Sequence, residues 1–121
     1  MTLRFYTVVV DARDPQALGR FWAEVLGWRV LAADGDEVIV GADEHSYPGL
    51  CLLRVPETKT VKNHLHIDLA PDDRDAEVER LLGLGATRVD IGQGDDVSWV
   101  VLADPEGNEF CVLRTHESLV D

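Results

Sequence analysis

The stretch DPQALGRFWAEVLGW, residues 14–28, decides how the chain is read. Asp14 is a helix-capping residue type, and Pro15 suits the first helical position because its missing N–H would be unbonded there anyway. Leu18, Phe21, Trp22, Val25 and Leu26 then follow the i, i+3, i+4, i+7, i+8 spacing of one buried helix face. Gly27 ends the run, since glycine accepts the left-handed conformation found just past helix C-termini. A second such segment is expected near residues 73–84, with Val78, Leu81 and Leu82 inward and Gly85 closing it. A shift of 58 superimposes the two, pairing Asp14 with Asp72, Leu26 with Leu84 and Gly27 with Gly85. A shift of 60 or 61 pairs Ala42 with Ala103, Asp43 with Asp104, Cys51 with Cys111 and Arg54 with Arg114. The chain is therefore an internal duplication.

The flanking segments supply strands. LRFYTVVV precedes the first helix, and WRVLAA, EVIVGA and LCLLRV follow it, with an Asp-Gly turn between the first two of these. HLHIDLA precedes the second helix, and ATRVDI, VSWVVLA and EFCVLR follow it. The fold class is α+β: two tandem βαβββ modules, residues 1–55 and 63–115, within one domain of residues 1–121. PETKTVKN, residues 56–63, lacks apolar periodicity and reads as the connection. A four-stranded sheet with one helix is covered on one face only, so the two modules are expected to join their open faces into a curved cleft.

Composition narrows the function classes. A formal charge of −12 and a pI near 4.5 repel phosphate backbones and anionic lipid, so nucleic acid and membrane surfaces are poor partners. The apolar runs are too short to cross a bilayer, and no basic-then-apolar leader opens the sequence. A cytoplasmic protein is expected, with Cys51 and Cys111 as reduced thiols in apolar strands.

Strand alternation sorts the candidate chemistry. In HLHIDL, residues 64–69, Leu65, Ile67 and Leu69 are expected toward the helix, and His64, His66 and Asp68 toward the cleft. On the last strand Glu109, Cys111 and Leu113 share a face. His66 and Glu109, on one face of neighbouring strands, suit a divalent ion, an acid–base pair, or a hydrogen-bonded pair in a polar wall. His64, two residues before His66, extends the metal set to two histidines and a carboxylate. Asp68 and Cys111 line the same face. Tyr6 and Val8 are expected to form an apolar cleft wall in the first module. His45 in a loop, His116 in the tail, and Trp22, Trp28 and Trp99 are weaker candidates. Phosphate-binding glycine loops, nucleophile elbows and CxxC pairs are absent from the sequence.

The paired modules, the DPQALGRFWAEVLGW helix, and HLHIDL with VVLADPEGNEFCVL resemble the vicinal oxygen chelate superfamily, specifically its glyoxalase-like small proteins, over essentially the whole chain. The resemblance implies a small-molecule ligand and a homodimer, often with modules exchanged between chains. It also implies a divalent metal ion (Zn, Ni, Fe or Mn) held by a first-strand His and a last-strand acid, which His66 and Glu109 match. The same shifts put Val8 and Gly49 at the corresponding first-module positions, so both ligands of that half are missing. Two functions follow. One is lyase, isomerase or dioxygenase chemistry on a small oxygen-rich metabolite; the other is non-catalytic sequestration of a drug or natural product, as in bleomycin resistance proteins.

Overall fold

The computed structural model describes residues 3–63, 65–89 and 99–114. Their order is β1 (Thr7–Ala12), α1 (Pro15–Leu26), β2 (Arg29–Ala33), β3 (Glu37–Gly41), β4 (Gly49–Arg54), β5 (Ile67–Leu69), α2 (Arg74–Leu84), β6 (Thr87–Arg88), β7 (Val100–Ala103) and β8 (Glu109–Val112). The strands form two four-stranded sheets, ordered β1-β4-β3-β2 and β5-β8-β7-β6. In each sheet the outer strand before the helix pairs parallel with the last strand of its module, and the remaining pairs are antiparallel. The α+β duplication is thus present as two βαβββ modules, within compact units of residues 1–58 and 59–121. Among the described residues, no helix is long and apolar enough to cross a membrane.

In the first unit the Asp14 carboxylate accepts the Ala17 N–H at 3.1 Å and caps α1. Gly27 closes the helix at φ 65°, where a side chain would be strained. Leu18, Phe21, Trp22 and Val25 bury one face of α1 against the sheet, over Val38, Val40, Leu50 and Leu52. Gly19 permits this approach: a Cβ there would lie 2.6 Å from Val38 Cγ1.

The second unit is slighter. Only Val78 and Leu81 of α2 are buried, with Leu82 half-buried, and they meet a core that includes Leu102, Phe110 and Val112. β5 has three residues, so the strand expected over residues 64–70 is shorter than its pattern suggested. Leu65, expected inward, precedes the strand and is 82% exposed.

The helix caps correct the alignment of the halves. Asp73, not Asp72, caps α2 by accepting the Ala76 N–H at 3.2 Å. Asp14 and Asp73 lie 59 apart and Gly27 and Gly85 lie 58 apart, because α1 has 12 residues and α2 has 11.

Candidate functional site on the second sheet

The ladder between β5 and β8 pairs Ile67 with Phe110, Asp68 with Cys111 and Leu69 with Val112. Partners in a parallel ladder share a face, and the pleat alternates faces along each strand. Phe110 and Val112 are 1% exposed and occupy the core side. Asp68 and Cys111 therefore belong to the opposite face, and Glu109, two residues before Cys111, belongs there too. His66 stands just before β5, and its Nδ1 lies 3.1 Å from Asp68 Oδ1. Both side chains are about half exposed, at 49% and 47%. His66, Asp68 and Cys111 bring a nitrogen, an oxygen and a sulfur within 4.8 Å of one another. Burial, and then the Asp68 carboxylate beside it, pushes the Cys111 thiol up to about 11.

Glu109 is engaged differently. Its Oε2 accepts from Lys59 Nζ at 2.7 Å, and its Oε1 accepts the Asn63 N–H at 3.4 Å. The Lys59 hydrogen bond is the main reason its carboxyl titrates below the usual carboxylate range. The ion pair is mostly covered, with side-chain exposures of 17% and 21%. Lys59 comes from the connecting segment, 50 residues away in sequence, and no local pattern marks it.

The DPEGNEF segment explains how β8 is launched. Asp104, 3% exposed, accepts the N–H groups of Glu106 and Asn108 at 2.9 and 3.0 Å, and the Asn108 amide donates to both its oxygens. Gly107 supplies the positive φ of 90° that the turn requires. Asp104 thus folds a loop that sets Glu109 at the head of the strand. Asp43 plays a similar part in the first unit, accepting from His45 N at 2.8 Å and Ser46 Oγ at 2.9 Å. Those bonds, the His45 N–H foremost, lower its carboxyl pKa. His45 itself is an exposed loop residue.

The first sheet offers no matching set. Its ladder pairs Thr7 with Gly49, Val8 with Leu50 and Val9 with Cys51. Aligned on Cys51 and Cys111, the counterparts of His66, Asp68 and Glu109 are Thr7, Val9 and Gly49. Thr7 thus replaces Val8 as the residue matching His66, because the single-residue shortening of α2 moves the alignment by one. Val8, expected on a cleft wall, shares the face of Leu50 and Leu52, which lies under α1. Tyr6 is exposed and packs on Tyr47 at 5.5 Å, with the Arg4 guanidinium 5.5 Å above the Tyr47 ring. Cys51 is a free, buried thiol, raised by burial and then by Glu37. A cavity of about 330 Å³ in this unit is lined by Arg13, Asp36, Arg54, Val55 and Pro56. There Arg54 donates to the carbonyls of Gly35 and Arg13 and to Gln16 Oε1, which makes it a tie across the end of the sheet. His64 and His116 lie outside the described residues.

Two βαβββ modules with a polar face on one sheet define the vicinal oxygen chelate architecture, and comparison with known proteins agrees. The sequence profile of the glyoxalase-like domain family matches residues 7–113, and the chain belongs to that family. Among solved structures, it resembles a glyoxalase/bleomycin resistance protein/dioxygenase family enzyme from Burkholderia phytofirmans PsJN at 20% identity and TM-score 0.68, covering 91% of this chain and 97% of that one. The trypanothione-dependent glyoxalase I of Leishmania major is similar at 19% identity and TM-score 0.71, covering 93% and 87%. A bleomycin resistance determinant encoded on the transposon Tn5 is similar at 16% identity and TM-score 0.63, covering 95% and 100%. At these identities the likeness is one of fold. No match was found among curated protein sequences.

A divalent ion of the kind the family implies would be held by His66 and Glu109, and these residues do not fit it as they stand. Lys59 already places a positive charge 2.7 Å from Glu109, and Glu109 is outside the group of converging donors.

Proposed function

We propose that the protein takes a small oxygen-rich organic molecule on the β5–β8 face and catalyses lyase- or isomerase-type proton transfer on it. The observation that carries this reading is the His66–Asp68 contact of 3.1 Å. The Asp68 carboxylate beside Nδ1 stabilises the imidazolium that forms when Nε2 takes up a proton, which suits the imidazole to act as a general base. The base removes a proton from a carbon next to a carbonyl, and the electron pair moves onto the carbonyl oxygen as an enolate. For an isomerase acting on a hydroxyketone, the hydroxyl proton moves to the former carbonyl oxygen and the carbon proton is returned to the former carbonyl carbon. For a lyase, the enolate re-forms its carbonyl as a carbon–carbon double bond forms and the leaving group departs from the β-carbon with its electron pair. The ammonium of Lys59, fixed by Glu109 on the same face, is the group suited to that developing negative charge.

The test is exchange of substrate C–H protons with deuterated water across a panel of vicinal dicarbonyls and hydroxyketones. The expected result is exchange that vanishes in His66→Ala and falls in Lys59→Met. Absence of exchange with every panel member would remove the catalytic reading.

A second reading, sequestration of an organic guest without turnover, is favoured by Thr7 and Gly49 in the first unit, which repeat none of this chemistry. It predicts guest-induced thermal stabilisation with no product. In either reading we take the chain to act as a homodimer, a choice supported by the apolar side chains of Val9 and Leu53, 53% and 37% exposed on the face of the first sheet away from α1.

A further inference from the structure

We propose that His66, Asp68 and Cys111 form a binding site for a borderline transition-metal ion such as Zn(II) or Co(II), distinct from the His66–Glu109 pair that the sequence pattern suggests. Asp68 and Cys111 are ladder partners on adjacent strands, and His66 lies two residues before Asp68, so the three side chains meet over one small patch. Their donors lie within 4.8 Å of each other, whereas bonds of 2.0–2.3 Å to a tetrahedral ion place donors roughly 3.5 Å apart. Modest rotamer adjustment closes that difference. Imidazole, carboxylate and thiolate together suit zinc or cobalt rather than magnesium or calcium, which favour all-oxygen sets. Cys111 anchors the site from the buried side, while the half-exposed His66 and Asp68 leave the fourth position open to solvent. The first sheet provides an internal control. Cys51 occupies the same strand position there, but its neighbours at the matching places are Thr7 and Val9.

The inference does not rest on the proposed catalysis, and an ion bound here would block it, because an imidazole that ligates a metal has no lone pair left to act as the base. Metal binding is read on the protein without any organic substrate. The full chain, purified without a metal column, is titrated with Co(II), and with Zn(II) against a chromophoric chelator. The expected result is one ion per chain and a near-ultraviolet thiolate-to-cobalt charge-transfer band. Cys111→Ser should abolish the band and weaken binding by about tenfold or more, while Cys51→Ser and Glu109→Gln leave both intact. Asp68→Asn, at an exposed position, should weaken binding similarly and decides the matter if Cys111→Ser does not fold. No stoichiometric binding, a band that survives in Cys111→Ser, unchanged affinity in Asp68→Asn, or loss of binding in Glu109→Gln would each overturn the assignment.

Discussion

Replacing Lys59 with Met removes the cation that lies 2.7 Å from Glu109 while keeping most of the side-chain volume. Two unit charges 4 Å apart attract by about 4 kcal/mol at an effective dielectric of 20, but desolvation and ordering of the side chains offset much of that. Exposed pairs are worth about 0.2–1 kcal/mol, and breaking a fully buried one costs about 3–5. With side-chain exposures of 17% and 21%, this pair belongs between them, so a coupling of about 1.5 kcal/mol is expected. That corresponds to a fall of about 5 °C in the melting temperature for a chain of this size. The assay is a double-mutant cycle of Lys59→Met and Glu109→Gln by urea unfolding. Glu109 has a lowered pKa in the folded state, so its contribution is complete above the ordinary carboxylate pKa and disappears as the pH falls through the lowered value. The coupling should therefore be full at pH 7 and fade in acid. Strictly additive single mutants at pH 7, or a coupling that does not change down to pH 2, would refute the claim that Lys59 holds Glu109.

Other outcomes follow from the packing. Asp104→Ala removes a carboxylate, on a residue 3% exposed, that accepts four hydrogen bonds in the turn, and should cost about 2–3 kcal/mol by urea unfolding; a loss under about 0.5 would remove Asp104 as the organiser of the β8 turn. Gly19→Ala should destabilise by about 1–2 kcal/mol despite alanine's better helix propensity, because the new methyl meets Val38 at 2.6 Å, and a stabilised variant would contradict that contact. Alkylation of Cys111 by iodoacetamide, followed by mass spectrometry of the digested protein, should be slow at pH 8 and keep rising until about pH 11; a plateau near pH 8.5 would mean an ordinary thiol.

What could be read from the chain beforehand depended on whether the cause was local. Asp14, Pro15 and Gly27 announce α1 through capping chemistry acting over a few residues, and the observed helix has those bounds. The duplication was equally legible, since it shows as repeated caps and strands. Register was not, because one residue lost within α2 leaves the apolar pattern intact yet moves the partner of His66 from Val8 to Thr7. Val8 was misplaced because alternation gives two faces without saying which one the helix covers. Leu65 was misplaced because the strand begins three residues later than its pattern. Cys111 read as a core thiol is buried as expected, but the contact with Asp68 comes from a cross-strand pairing that spacing does not contain. Lys59 had no signal at all, being one lysine in a polar connection whose partner is 50 residues on.

The most direct test is to map where small oxygen-rich molecules touch the protein, by amide chemical shifts recorded during titration with catechols and vicinal dicarbonyls. The account predicts perturbations centred on residues 66–69 and 109–112, with Lys59 among them. Shifts confined to the first unit, such as around Arg13, Arg54 and Pro56, with residues 66–68 unmoved, would contradict it.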